Sequence, residues 1–175
     1  LADLMTIKEK FGKTQGLKIA YVGDGANNMA SSYLVACAMA GMSVSVASPS
    51  GFDPSTLAVE RAREIAAFQG GEISIGNDPA SAVLDADVVV TDTWISMGME
   101  AEAEARKKAF EGFGVNAELM AKASDQAIFL HCLPAYRGYE VEVEVIDGPQ
   151  SAIWDEAENR LHAQKALMAW LAEQN

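Results

Sequence analysis

Five short runs of β-branched and other apolar residues, separated by stretches of helical pattern, constrain this chain more than any other feature. Lys18–Val22 and Ser43–Ala47 come first, and residues 72–75 (EISI), 87–91 (DVVVT) and 127–131 (AIFLH) follow. Apolar, β-branched runs of this length suit strands buried on both faces. The segments between them, 28–40, 54–69, 79–84 and 117–123, predict helices. Strands and helices alternating at this spacing form βαβ units, whose crossovers lay helices against both faces of a parallel sheet. The expected fold is therefore α/β: a doubly wound, mainly parallel five-stranded sheet with helices on both faces, Rossmann-like in outline. Asp53-Pro54 reads as an N-cap followed by proline at the first helical position, and Gly70-Gly71 ends that helix. A last helix is expected over 156–173, with Leu161, Lys165, Leu167, Met168 and Leu171 on a mixed apolar face.

No repeat and no linker divides the 175 residues, which form one expected domain, 1–175. Its 25 acids against 13 bases give a formal charge of −12. Such a surface offers no footprint for nucleic acid or an anionic membrane. No apolar run approaches the roughly 18 residues of a membrane helix. The first residues, Leu1 to Ile7, read as an amphipathic segment rather than a signal peptide. Two cysteines, Cys37 and Cys132, make no disulfide framework and point to the reducing cytoplasm. Two histidines without ligand spacing give no case for a metal.

The first strand runs into Gly23-Asp24-Gly25, the opening of a dinucleotide fingerprint. The third glycine of that fingerprint is replaced by Asn28, and the second strand ends in Val46-Ala47-Ser48-Pro49 with no acid to hold a ribose. Both requirements fail, so no nucleotide cofactor is expected. Asn27 and Asn28 instead divide two tasks: one caps the following helix and the other faces a polar ligand.

Open parallel sheets bind ligands beyond the carboxyl ends of their strands. Three unusual sequences stand at such ends: Gly23 to Asn28, Asp92-Thr93-Trp94-Ile95-Ser96-Met97-Gly98, and His131-Cys132-Leu133-Pro134. Asp92 is an acceptor for an ammonium group, Ser96 adds a hydroxyl, and Asn28 can donate to a carboxylate. Together they suit the α-amino and α-carboxylate groups of an amino acid. Cys132 follows an apolar strand and is either structural or part of the site. His131 is either a core histidine or a ligand contact. The segment 96–114, with its charged cluster and glycines at 98, 112 and 114, is either a solvated helix within a long connection or a lid.

The Asp92 to Gly98 stretch, His131-Cys132-Leu133-Pro134 and Glu158-Asn159-Arg160 together resemble the ornithine carbamoyltransferase family, in family order along essentially the whole chain. The likeness is to the carboxyl-terminal, ornithine-binding half. The family's Ser-Thr-Arg-Thr and His-Pro-x-Gln motifs, which hold carbamoyl phosphate, are absent from these 175 residues. The resemblance implies carbamoyl transfer to the δ-amine of L-ornithine, giving L-citrulline and phosphate in arginine biosynthesis. It implies ornithine contacts from Asn28, Asp92, Ser96 and Met97. Cys132 and Leu133 would line the junction with the carbamoyl group, and Arg160 would reach the carbamoyl phosphate side, so that Cys132, Asp92 and Arg160 are the candidate catalytic residues. It also implies that 96–114 closes over ornithine, that the full-length enzyme is a homotrimer, and that this fragment alone is inactive and monomeric. Ser31 stands where many relatives have histidine, a position outside these contacts. A diamine such as putrescine as the acceptor, or a non-catalytic amino-acid-binding module, are the competing readings.

Overall fold

The structure, a computed structural model, describes residues 1–96 and 98–174. Five parallel strands make one sheet: β1 (Lys18–Val22), β2 (Ser43–Ala47), β3 (Ile73–Gly76), β4 (Val88–Val90) and β5 (Ile128–Leu130), in the order β3-β2-β1-β4-β5. The expected strands are all present, the last two trimmed at their ends, and the expected sheet is parallel throughout. Strand order reverses between β1 and β4, which pair through Ile19↔Val88, Ala20↔Val89 and Tyr21↔Val90. The loops leaving those two strands flank the crevice where such sheets bind ligands.

Alternation along the strands builds two cores. Ile19, Tyr21, Val44, Val46, Val88 and Val90 face one layer, formed by α1 (Ala2–Phe11), α2 (Asn28–Met39) and α3 (Thr56–Gln69). Ala20, Val22, Val89 and Phe129 face the other. There they meet α4 (Pro79–Val83), α6 (Ala117–Met120), α7 (Val143–Ile146) and Ile153, the first residue of α8 (Ile153–Glu173). Cys37 is buried on α2, a small core residue as expected, and neither it nor Cys132 is in a disulfide.

Several boundaries differ from expectation. α3 starts at Thr56, behind Ser55, rather than at Pro54, and no side chain caps it. Pro54 is buried in the loop, packed against the glycine turn after β1: a Cβ on Gly25 would meet Phe52 O at 2.7 Å and Pro54 Cδ at 2.8 Å. Gly70 does end that helix, in the left-handed region at φ 89. α8 begins three residues early because the Ala152 amide bonds Phe129 O at 2.9 Å and Ile153 is buried beneath the sheet. α7 was not expected. The apolar face of α8 is only partly used. Ile153, Glu156 and Asn159 are buried, whereas Leu161, Leu167, Met168 and Leu171 lie exposed. No helix among the described residues is long and apolar enough to cross a membrane.

Candidate functional site

The loop after β4 is organised by one buried carboxylate. Asp92 is 8% exposed; its Oδ2 accepts Asn27 Nδ2 at 2.8 Å, and its Oδ1 accepts the Thr93 amide at 2.8 Å and Cys132 Sγ at 3.3 Å. These bonds join the ends of β1, β4 and β5, the three strand ends singled out in the sequence. Asn27 is also the N-cap of α2, its Oδ1 accepting the Met29 amide at 2.7 Å. One asparagine thus caps the helix and holds Asp92, which leaves Asn28 exposed at the first residue of α2 and free of both tasks.

The turn after β5 is held just as closely. The His131 amide donates to Glu156 Oε2 at 2.9 Å, and His131 Nδ1 accepts the Leu133 amide at 2.9 Å. His131 is a buried core histidine; its Nε2 faces Glu140 Oε1 across 3.4 Å. Leu133 sits in the left-handed region at φ 56, and the Leu133–Pro134 bond is cis. Burial, then the neighbouring Asp92 carboxylate, pushes the Cys132 thiol far up, so it stays protonated and donates to Asp92. It is not a thiolate nucleophile. Burial, with the like charge of Asp3 second, pushes the Glu156 carboxyl up to about 8.

Cys132, Leu133 and Arg160 line a common cleft of about 550 Å³, together with Met29 and Ser32 of α2, Asp3 of α1 and Glu156 of α8. Arg160 is exposed on α8, one turn beyond Glu156. Asp92 adjoins the cleft through its bond to Cys132. Asn28 and Ser96 lie outside the cleft lining; Ser96 is half-buried at the end of the Asp92 loop. Met97, the remaining expected ornithine contact, lies outside the described residues.

Within the connection, residues 98–114 form a 3-10 turn (Glu100–Glu102) and α5 (Ala103–Ala109). Its charged cluster is not wholly solvated. Arg106 turns inward, pairs with Asp24 of the β1 loop and donates to Trp94 O. Its guanidinium lies 5.0 Å from the Phe52 ring centroid and 5.5 Å from that of Phe110. The segment is thus anchored to the strand ends at the root of the Asp92 loop.

Asp92, His131 and Cys132 offer one possible metal-ligand atom each within 4.8 Å of one another, a proximity their sequence spacing does not reveal. Those atoms are already engaged with one another and with backbone amides, and they are one short of a four-ligand structural zinc site. The glycine turn does not wait for a phosphate either. Gly25 is glycine because Phe52 and Pro54 occupy the space a side chain would need. Sequence reasoning missed Asn27 as the partner of Asp92, Arg106 as an inward anchor, and Glu140 and Glu156 behind the His-Cys-Leu turn. Asn27 carried a visible signal, as a cap, and Arg106 a fainter one, in Phe110 one turn later.

Comparison with known proteins fits this geometry. The family model described as aspartate/ornithine carbamoyltransferase, Asp/Orn binding domain, matches residues 15–171. The ornithine carbamoyltransferase of Renibacterium salmoninarum is 54% identical over 175 residues, all of this chain and 56% of the relative. That of Bifidobacterium longum subsp. infantis is 59% identical over 174 residues, 98% of this chain and 54% of the relative. The structure of the Pyrococcus furiosus ornithine carbamoyltransferase superposes with a TM-score of 0.91 at 51% identity, covering 96% of this chain and 53% of that one. The chain therefore spans just over half the length of the relatives it matches. It belongs to the aspartate/ornithine carbamoyltransferase family, through that family's Asp/Orn-binding domain.

Proposed function

We propose that this chain is the ornithine-binding half of an ornithine carbamoyltransferase, a single domain over residues 1–175 that works with a separate carbamoyl-phosphate-binding domain. The reaction is attack by the δ-amine of L-ornithine on the carbonyl of carbamoyl phosphate, giving L-citrulline and phosphate in arginine biosynthesis. The observation that carries this reading is Asp92. It is a buried carboxylate at the topological switch point, tied to the helix cap on one side and to the Cys132 thiol on the other. Such a carboxylate suits an α-ammonium group. Asn28, at the start of α2, and Ser96, four residues on in the same loop as Asp92, serve the α-carboxylate end, with Met97 next to Ser96 in the chain.

An alkyl ammonium has a pKa near 10.4, so at pH 7 the neutral nucleophile is scarce by roughly 4–5 kcal/mol. A carboxylate beside the δ-amine would deepen that scarcity, which assigns Asp92 to the α-ammonium and leaves the δ-amine to the drier surroundings of Leu133 and the Cys132 thiol. The nitrogen bonds to the carbonyl carbon, the bond to the phosphate oxygen breaks with its electron pair, and the surplus amine proton departs. Arg160, on the same cleft as Cys132 and Leu133, donates to the carbonyl oxygen or to the phosphate as charge develops there. Anchoring of 96–114 by Arg106 gives a closing loop a fixed root. The full-length enzyme is proposed to be a homotrimer and this chain alone an inactive monomer, which sedimentation checks.

The test joins this chain to the amino-terminal half of the Renibacterium relative and measures citrulline formed from ornithine and carbamoyl phosphate. Carbamoylation of putrescine alone would transfer the reading to a diamine. A folded, ornithine-binding protein that makes no product would reduce it to a binding module.

A further inference from the structure

Two buried acids stand behind the His-Cys-Leu turn; Glu156 also lines the cleft, whereas Glu140 does not. Glu156 takes the His131 backbone amide at 2.9 Å. Glu140 is 1% exposed, in the segment that follows the turn; its Oε1 accepts the Tyr136 amide at 2.6 Å and faces His131 Nε2 across 3.4 Å. A carboxylate that deep costs heavily unless hydrogen-bond donors surround it. His131 is equally buried, and its Nδ1 is already an acceptor for the Leu133 amide. A neutral imidazole that accepts at Nδ1 carries its proton on Nε2, the nitrogen turned toward Glu140. The ring thus has one tautomer that accepts the Leu133 amide and turns its N–H toward Glu140, a polar contact at 3.4 Å that does not close into a hydrogen bond. What this orientation holds is unusual backbone. Leu133 has φ 56, a region that side-chain-bearing residues seldom adopt, and its amide is fixed by the ring. Cys132, between the two, keeps its thiol on Asp92.

We propose that Glu140 is a positioning residue for carbamoyl transfer: through His131 it sets the His-Cys-Leu turn that presents Cys132 and Leu133 to the cleft. This rests on the carbamoyltransferase reading for its kinetic consequence, though not for its geometric one. The relation is that of a carboxylate orienting a histidine whose far nitrogen does the work, here on a backbone amide rather than on a substrate.

Glu140→Ala and Glu140→Gln in the joined, full-length enzyme test the kinetics. The glutamine carbonyl can accept the Tyr136 amide and keep a polar oxygen facing His131 Nε2, as one carboxylate oxygen does now, so this variant is expected within about threefold of the parent kcat. Glu140→Ala frees the ring, and kcat is expected to fall on the order of 10- to 100-fold while KM for ornithine moves less. Should Glu140→Ala not fold, Glu140→Asp withdraws the carboxylate from Nε2 by one methylene and is expected to lose kcat in the same direction. Iodoacetamide labelling of Cys132 in the 175-residue chain is the second readout. Cys37 is buried, and loss of the Asp92 contact should speed Cys132 labelling by about fivefold in the alanine or aspartate variant. Unchanged kcat and labelling in those variants, or a glutamine variant as impaired as the alanine one, overturns the proposal. If the parent joined enzyme makes no citrulline, the carbamoyltransferase reading fails instead, and labelling alone decides the role of Glu140.

Discussion

Replacing Glu156 with glutamine tests whether a carboxyl buried behind the reacting turn makes this domain sensitive to pH. Glu156 is 2% exposed, its Oε2 accepts the His131 amide, and its Oε1 has no hydrogen-bond partner among the described residues. Burial and the like charge of Asp3 raise it from 4.5 to about 8. The sign follows from proton counting: between those two values the folded chain keeps a proton that the unfolded chain has released, so stability falls as pH rises. At about 1.4 kcal/mol per pH unit, the stability present at pH 4.5 is reduced by about 3 kcal/mol at pH 7 and by about 5 kcal/mol once pH exceeds 8. Glutamine keeps an acceptor for the His131 amide and does not ionise. Its NH₂ group would also face Asp3 as a donor rather than as a like charge. Thermal unfolding of the 175-residue chain and of Glu156→Gln, measured from pH 5 to pH 9, should diverge. By pH 7 the variant should gain about 3 kcal/mol relative to the parent, or about 6–12 °C in Tm for a chain of this size. Groups remote from Glu156 titrate alike in both proteins and cancel in the difference. A difference that stays constant across this range refutes the reasoning, because Glu156 would then be ionised in the folded state throughout.

Arg106→Met should destabilise the chain by about 3–5 kcal/mol in urea unfolding, because Asp24 is left buried without its cation, and Asp24→Asn in the same background should recover part of the loss. Gly25→Ala should cost about 1–3 kcal/mol by the same assay, since the new methyl meets the Phe52 carbonyl and Pro54; a neutral result would mean that the loop after β2 gives way easily. In the joined enzyme, Asp92→Asn should raise KM for ornithine on the order of 10- to 100-fold, the worth of a hydrogen bond to a charged group, with a smaller change for carbamoyl phosphate. Equal changes for the two substrates would remove Asp92 from the α-ammonium.

The sheet was legible because its strands are β-branched runs of the right length. Where a run such as SVSVA alternates with a small polar residue, that residue only marks the second face, as Ser45 does among the valines of β2. The helix α7 was hidden by its own sequence: Val143–Ile146 alternates like a strand, and its helical form follows from burying Val145 and Ile146 against the sheet. Arg106 was hidden by its company. In a stretch of acids and lysines every position looks solvated, yet Phe110 one turn later marks the face that turns inward. The site was legible as three strand ends and illegible as a network. Asp92 and Asn27 are 65 residues apart, and Asp92 and Cys132 are 40 apart. Strand order alone brings them together, and no local pattern encodes it.

That network limits how Asp92 can be read by mutation. A carboxylate has about four lone-pair positions. Three are occupied, by the Asn27 amide, the Thr93 backbone and the Cys132 thiol, which leaves one for an incoming ammonium. The corresponding amide has a single oxygen. If that oxygen serves Thr93 and Cys132, its NH₂ faces the NH₂ of Asn27, two donors in opposition. Asn27 can relieve this only by flipping, and the flip would turn its NH₂ toward the Met29 amide and break the cap of α2, a loss worth about 1 kcal/mol. The alternative is to abandon Cys132, which loosens the turn at the cleft. Ornithine affinity, the helix cap and the placement of the thiol are therefore coupled through one side chain. A loss of ornithine affinity in Asp92→Asn counts toward the α-ammonium only to the extent that it exceeds what Asn27→Ser, which keeps a capping oxygen but removes the donor to Asp92, produces by itself.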